Sequence, residues 1–260
     1  MNDRSSYIGG SFVAKFLTAS EPADRFYLLL RQIAESLSLV PPLFINNSDV
    51  QRGVALEPVV FREFILPNCP SAVHFLDDTP PILSDDFLGG HIDAYDEETK
   101  TLFEIKCPRY VQMPPRAEWI VQTTFYAALL ERSSRAVDNA FIVQFDYIAF
   151  DCNFSRVDVS KEKKDLVYDK AKRIAQVFAK YQNVNVKSID ALLKKMRVDP
   201  DVKELVGGDF SVGILEDSVV ADFERVDKLF RYAARLRRQY LDIMKNSLYY
   251  SSTNIYSPNY

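Results

Sequence analysis

The chain has 260 residues, 47% of them hydrophobic and 26% charged, which are the proportions of an ordinary globular protein and exclude wholesale disorder or a fibrous repeat. With 32 basic against 36 acidic residues the net charge is −4, which argues against a simple electrostatic coat on nucleic acid but leaves room for a local basic channel. Three cysteines without a CxxC pair, and only two histidines, speak against a zinc finger or an iron–sulfur cluster. No apolar run reaches the ~20 residues of a membrane span, and the opening MNDRSSYIGG lacks the apolar core of a signal peptide. The expectation is a cytosolic or nuclear, reduced chain with no membrane partner.

The first forty residues read as helical: Gly9-Gly10-Ser11 punctuates the start of a helix through residues 12–17, and residues 25–39 form a second. Pro41-Pro42 and Asn46-Asn47-Ser48-Asp49 mark a loop. A helical period returns over residues 53–66, with Leu56, Val60, Phe61 and Phe64 apolar and Pro58 expected in or near the first turn. Residues 67–81 are turn-rich, with one short strand near 73–76. Residues 88–95 and 101–107 then read as the two strands of a hairpin, joined by a polar turn over 96–100 and ended by Pro108. Beyond Pro114-Pro115, residues 118–132 form a clear helix. Residues 140–145 and 147–152 read as β segments, with 154–159 extending the sheet. Helices are expected over 161–181, 189–196 and about 219–248, followed by a polar, tyrosine-rich tail that is loosely held. This order predicts a single α/β domain over 1–260, with a mixed-strand core at about 8–160 and a helical extension over 161–260.

Side chains alternate faces along a strand. Thr101, Phe103, Ile105 and Cys107 therefore share one face and Leu102, Glu104 and Lys106 the other, while His91, Asp93 and Tyr95 share a face of the preceding strand. The hairpin brings Asp93 alongside Glu104, with Lys106 one pleat further on. Two carboxylates so placed repel unless a cation lies between them. Mg²⁺, held by a few carboxylates, a carbonyl and several waters, is the natural occupant. Such an ion lowers the pKa of a bound water and polarises a phosphate oxygen. Lys106 can hold the attacking water or stabilise charge developing on phosphorus, which is the equipment of phosphodiester hydrolysis. An E-x-K on a solvated strand face is common in any charged sequence. Here Phe103, Ile105 and Cys107 interleave with it and Gly89-Gly90 precede it, which favours a central strand open to close backbone approach.

Asp93 followed by Glu104-Ile105-Lys106 resembles the D…(D/E)-x-K signature of the PD-(D/E)XK nuclease superfamily. More closely, FEIKCP resembles the LEIKCP box of the lambda-exonuclease-like family, the YqaJ or alkaline exonucleases of phages and large DNA viruses. Three further segments fall in that family's order. Ile8-Gly9-Gly10-Ser11 resembles its N-terminal I-(G/T)-(G/A)-S, Gly53 through Glu57-Pro58 its G-x-x-x-E-P helix, and Gln122 through Tyr126 the Q-x-x-x-Y helix of RecB-type members. The resemblance covers about residues 8–150 and leaves the last hundred largely unassigned. There are departures. Gly90-His91-Ile92-Asp93 stands where S-P-D-G is usual, and Thr124 stands where lambda-type enzymes often carry a second glutamine. The cysteine count excludes relatives that bind a cluster through four cysteines.

The resemblance implies a restriction-endonuclease-like α/β fold, a central mixed β-sheet flanked by helices, with additional C-terminal helices. It implies an Mg²⁺- or Mn²⁺-dependent deoxyribonuclease, a 5′→3′ exonuclease on linear double-stranded DNA ends. Such an enzyme serves viral or phage recombination or replication, in the cytoplasm or the host nucleus. It works beside a single-strand annealing protein, and relatives form a homo-oligomeric ring. Asp93 and Glu104 are implied as metal ligands, with the Ile105 carbonyl completing the shell and Glu57 reaching the metal or its waters. Lys106 orients the nucleophilic water, and Gln122 bonds the lysine or the substrate. Ser11, Arg52, Arg109 and Tyr126 are implied as substrate contacts; a helix-capping serine and surface arginines remain the plainer readings. His91 shares a face with Asp93, although a lone histidine there is more often structural. Trp119 is expected in the core. Arg225, Lys228, Arg231, Arg235, Arg237, Arg238 and Lys245, against Asp227 and Asp242, make a basic stripe that borders a DNA channel or is a solvated helix face. The alternatives are an endonuclease or DNA/RNA nuclease of the same fold and, in a different class, an inactive nucleic-acid-binding or scaffold protein. The intact Asp93, Glu104 and Lys106 argue against the latter.

Overall fold

The computed structural model describes residues 7–41, 48–75, 80–84, 87–208 and 219–220. A short β1 (Ile8–Gly9) runs into α1 (Gly10–Thr18), and α2 (Pro22–Ser36) follows, its proline at the start of the helix where a missing N–H costs nothing. Helix α3 (Ser48–Val60) passes directly into a π-helical turn, Phe61–Ile65. Five short strands come next: β2 (Ala72–His74), β3 (Ile82–Leu83), β4 (Leu88–Gly90), β5 (Ala94–Asp96) and β6 (Thr101–Lys106). Helix α4 (Ala117–Arg132) leads to β7 (Asn139–Asp146) and β8 (Asp151–Val157). Then come α5 (Lys161–Gln182), α6 (Ile189–Val198), α7 (Pro200–Gly207) and β9 (Val219–Val220).

The strands form two mixed sheets. A six-stranded sheet runs β2-β5-β6-β7-β8-β9, and a three-stranded sheet runs β1-β4-β3. In the larger sheet β6 and β7 are parallel and the other neighbours antiparallel. Tyr95, Leu102, Ala140 and Ile142 point to one side, into a core shared with α1, α2, α4 and α5. Phe103, Ile105, Phe141 and Val143 point to the other, against Val60, Phe64 and Ile65 from the end of α3 and its π turn. The sheet is thus covered by helix on both faces, and Glu104 and Lys106 fall on the α4 side. Helix α4 is buried at every position from Ile120 to Leu130, as expected of a helix that is apolar nearly all round and runs through the core. Its Thr123 and Thr124 hydroxyls are satisfied by the Trp119 and Ile120 carbonyls one turn back. No helix among the described residues is long and apolar enough to cross a membrane.

The structure corrects several sequence expectations. Residues 88–95 are not one strand: β4 pairs with β1 and β3, β5 pairs with β2 and β6, and His91-Ile92-Asp93 crosses from one sheet to the other. Pro58 lies inside α3 near its end rather than in the first turn, because the helix already begins at Ser48, in the segment read as a loop. Residues 147–150 form a turn, not the start of a strand. The Asp146 carboxylate caps it by accepting from the Ile148 and Ala149 amides, and Phe150 takes a left-handed φ of 49°. Helix α7 was not anticipated. Its signal was Asp199-Pro200, where the aspartate side chain accepts from the Asp201 amide and the proline occupies the first turn. Val219 and Val220, expected to open a long helix, instead pair with Val157 and Arg156 as an added strand. The rest of that helix, its basic stripe and the tail lie outside the described residues.

Candidate active site

The β5–β6 ladder pairs Ala94 with Phe103, so Asp93, the last residue of the crossing segment, falls opposite Glu104. Its carboxylate Oδ2 accepts from the Ile105 amide at 2.6 Å, and its carbonyl accepts from the Phe75 amide at 2.9 Å. The Asp93 carboxylate is therefore fixed beside the Ile105 peptide. Glu104 is 1% exposed; its Oε1 accepts from Lys106 Nζ at 2.5 Å, while its buried Oε2 has no hydrogen-bond partner among the described residues. Lys106 Nζ also donates to Gln122 Oε1 at 3.2 Å, and Gln122 Nε2 donates to the Tyr126 phenol oxygen at 3.3 Å. Gln122 and Tyr126 stand one turn apart on α4, the spacing that puts two side chains on one helical face. A continuous line thus runs from Tyr126 through Gln122 and Lys106 to Glu104.

The Tyr126 ring reaches this position because two backbones approach it without side chains. A Cβ on Gly10 or on Gly90 would lie 2.4 Å from the same ring carbon, Cε1. These are the first residue of α1 and the last of β4. Both glycines are thereby explained by steric approach rather than by an unusual φ.

Burial raises the Asp93 carboxyl well above the usual carboxylate range, and the neighbouring Glu104 charge raises it further against the opposing Lys106. Burial also raises Glu104, with Lys106 working the other way. For Lys106 itself burial disfavours the ammonium, but Glu104 and Asp93 outweigh it and its pKa rises. The same carboxylates that favour the ammonium also take its hydrogen bond, since Nζ donates to Glu104. Burial pushes the adjacent Cys107 thiol up to about 12, which leaves no thiolate to serve as a nucleophile.

Glu57 is half-buried on α3, and its Oε1 meets Nε2 of His74 at 2.9 Å. It is close enough to act electrostatically on Asp93, Glu104 and Lys106. His74 was not singled out in the sequence. Its one signal was scarcity, since it is one of two histidines in the chain. Gln144, also missed, is fully buried opposite Lys106 on β7 and exchanges two 2.9 Å hydrogen bonds with the Gln112 backbone. It pins the loop that carries Arg109 and Tyr110.

Two clefts flank this cluster. One, of about 570 Å³, is lined by Ser11, Lys15, Arg52, Lys106, Arg109 and Gln122, together with Tyr110 and Trp119. The other, of about 300 Å³, is lined by Gly9, Gly10, Ser11, His91, Asp93 and Tyr126. Ser11 borders both. It is exposed as the second residue of α1, whose N-cap is Gly9, so it is not the capping residue. Arg52 donates through Nε to the Cys107 carbonyl at 3.0 Å and lies over the Tyr147 ring. Arg109 is exposed above Tyr110. Trp119 is only partly buried, packed on the core with Arg116 over its ring. Asp93, Glu104, Ile105, Lys106, Gln122 and Tyr126 are thus in one bonded cluster, Glu57 lies near it on His74, and Ser11, Arg52 and Arg109 stand around its rim.

Among the described residues no group of three or more His, Cys, Asp or Glu side chains stands in metal-ligating geometry. The available donors are Asp93, Glu104 and the Ile105 carbonyl. An unpartnered buried carboxylate oxygen beside a second carboxylate fits a hard cation such as Mg²⁺, which takes few protein ligands and keeps most of its waters.

No protein-family model matches the sequence, and no curated protein matches it. Among solved structures, a phage-related exonuclease from Haemophilus somnus 129PT aligns with a TM-score of 0.50 and 16% identity, over 73% of this chain and 96% of its own. The structure of SSO0001 aligns at a TM-score of 0.39 and 15% identity, over 77% and 89% of the two chains, too distant to argue from.

Proposed function

From a nuclease-like α/β core, similar in fold to a phage-related exonuclease, we propose that this chain is a metal-dependent deoxyribonuclease of the PD-(D/E)XK type, a 5′→3′ exonuclease acting on linear duplex DNA ends. The observation that carries the reading is Lys106, held between buried Glu104 and Gln122 one residue from the Ile105 peptide to which Asp93 is bonded. Buried Glu104 beside half-buried Asp93, with the Lys106 ammonium bonded to the first, is the donor set that phosphodiester hydrolysis asks for. Asp93, Glu104 and the Ile105 carbonyl would hold Mg²⁺ or Mn²⁺, with Glu57 taking the ion or one of its waters. When bound, the ion supplies a more acidic water and neutralises charge on a phosphate oxygen.

The chain's own residues do the rest. The Lys106 ammonium donates to the attacking water or to a non-bridging oxygen as charge grows there. Gln122 keeps that ammonium in place, and Tyr126 keeps Gln122. The larger cleft brings Lys15, Arg52 and Arg109 to one side of the cluster, where cations can neutralise a DNA backbone and aromatic rings such as Tyr110 can stack an unpaired base. Water adds to phosphorus, the P–O ester bond breaks, and a phosphate monoester and a hydroxyl end leave.

The test uses the purified chain, Mg²⁺, and linear duplex labelled separately at each 5′ end and internally, with circular duplex and RNA in parallel. Mononucleotide release from linear but not circular DNA, lost in Lys106→Ala, is expected. Cleavage of circles or RNA would replace the exonuclease with an endonuclease or a mixed nuclease. Absence of any metal-dependent cleavage would overturn the enzymatic reading.

A further inference from the structure

We infer that His74 is a positioning residue for Glu57, and through it for the divalent ion of the proposed nuclease, a role that rests on that reading. His74 ends β2, the edge strand of the six-stranded sheet, where its backbone pairs with Ala94. The next residue, Phe75, donates its amide to the Asp93 carbonyl at 2.9 Å. The His74 side chain leaves the strand towards α3, where Nε2 meets Glu57 Oε1 at 2.9 Å. Two adjacent residues, the last of the edge strand and the one that follows it, thus fix both Asp93 and Glu57, which come from separate parts of the fold. Without them the crossing segment and α3 would set the two carboxylates independently.

The imidazole is itself held. Phe61, one helical turn beyond Glu57, stacks on it with ring centroids 4.8 Å apart and planes 14° apart. The His74 side chain is 11% exposed against 28% for Glu57, so the ring lies deeper than the carboxylate it holds. A neutral imidazole with its proton on Nε2 suffices to donate, and no change of charge is invoked. One carboxylate oxygen is then committed to His74, and the second is left for the ion or its water. A histidine clamped by a flat aromatic contact has little freedom to rotate, so it restricts the carboxylate to one orientation. Partners of metal-ligating groups that act in this way set metal affinity, and their loss costs about 10–100-fold.

The experiment titrates Mn²⁺ into the full chain by calorimetry and measures cleavage of linear duplex as a function of Mg²⁺ for wild type, His74→Ala, His74→Gln, Glu57→Gln and the His74→Ala/Glu57→Gln pair. In His74→Ala we expect Mn²⁺ affinity to fall about 10–100-fold. The Mg²⁺ midpoint should rise in parallel, while KM for DNA and the rate at saturating Mg²⁺ stay within a few-fold of wild type. His74→Gln, which keeps a donor on a side chain of similar reach, should recover most of the affinity. In the Glu57→Gln background, removing His74 should shift Mn²⁺ affinity no further. An unchanged Mn²⁺ affinity in a folded His74→Ala protein would overturn the inference, as would an equal loss with and without Glu57. If His74→Ala does not fold, His74→Leu, which keeps bulk at the site but has no donor for Glu57, carries the same comparison. A wild-type chain that neither binds Mn²⁺ nor cleaves would fail the nuclease reading itself, a different outcome from a wild type that does both and a His74 variant that matches it.

Discussion

Gly90→Ala is expected to destabilise the protein although its backbone would welcome the change. Among the described residues no glycine has a positive φ, and replacing such a glycine by alanine ordinarily stabilises by about 0.4–1 kcal/mol through the unfolded chain. Here the new methyl carbon would stand 2.4 Å from Tyr126 Cε1, 3.2 Å from Cζ and 3.3 Å from Cδ1. Ordinary contact begins near 3.4 Å, so the ring must retreat by 3.4 minus 2.4, or 1.0 Å. Tyr126 is 5% exposed, and that retreat runs into packed core. Overpacking of this kind costs about 1–3 kcal/mol, or roughly 2–12 °C in Tm for a chain of this size. The displacement also stretches the 3.3 Å bond that holds Gln122. Gln122 in turn holds Lys106, and a misplacement of about 1 Å can cost on the order of 100-fold in rate. Thermal melts and cleavage assays of Gly90→Ala, alone and combined with Tyr126→Leu, decide the matter. Leucine lacks Cε1 and Cζ, so in that background Gly90→Ala should turn neutral or stabilising. A stabilised single variant, or the same loss in both backgrounds, would refute the steric account.

Gln122→Ala should lower the cleavage rate about 10–100-fold, in the manner of a partner that orients a reacting group, with Mn²⁺ affinity by calorimetry left near wild type. Mg²⁺ at 100 times its Kd should raise the stability of the folded chain by about 2.7 kcal/mol. Asp93→Asn should abolish that gain in a thermal melt, and chelation should reverse it in wild type. Asp199 offers a pH test remote from the cluster. Partial burial works against its charge, but hydrogen bonds from Lys180, Tyr181 and the Asp201 amide hold its carboxyl below the ordinary value of 3.8. The folded-state pKa is depressed, so its stabilisation is present above that ordinary value and is lost as pH falls through the folded one. Asp199→Asn keeps the helix cap but loses the charge that Lys180 meets, so it should cost on the order of 1 kcal/mol at pH 7, the difference between a hydrogen bond to a charged and to a neutral acceptor, and the gap to wild type should close in denaturant melts taken towards pH 2.

What the sequence makes legible is what short-range periodicity encodes. The alternation along residues 101–106 places Glu104 and Lys106 on one face and Phe103 and Ile105 on the other, as found. The four-residue spacing of Gln122 and Tyr126 predicts a shared face, and they are bonded to each other. The division of residues 88–95 between two sheets is not legible. Leu88 and Tyr95 both suit a strand locally, and the choice is made by β1 and β2, partners from elsewhere in the chain. The Glu57–His74 contact joins a helix to an edge strand across a loop, and no spacing rule spans that gap. Pro58 misleads for a related reason. Proline is read as a start signal, whereas α3 accepts it near the end that passes into the π turn. Gln144 is hidden because a glutamine in a strand reads as surface until Gln112 is seen to take both of its polar ends.

The cluster arises where regular pairing stops. The β5–β6 ladder pairs Asp96, Tyr95 and Ala94 with Thr101, Leu102 and Phe103 and goes no further. Two residues on, the Ile105 amide is met by the Asp93 carboxylate instead of by a strand carbonyl. Buried backbone donors must be satisfied, so the crossing segment exchanges one sheet hydrogen bond for one from a side chain, and in doing so fixes a carboxylate beside Glu104. Asp93 therefore carries two duties: it ends the ladder, and it supplies charge. Alanine at this position would remove both and leave an inactive protein uninterpretable. Asparagine retains an oxygen that can accept from Ile105 while lacking the charge. If Asp93→Asn melts within about 1 kcal/mol of metal-free wild type yet neither binds Mn²⁺ nor cleaves, the charge belongs to the metal and not to the fold. A large loss of stability without metal would reverse that assignment.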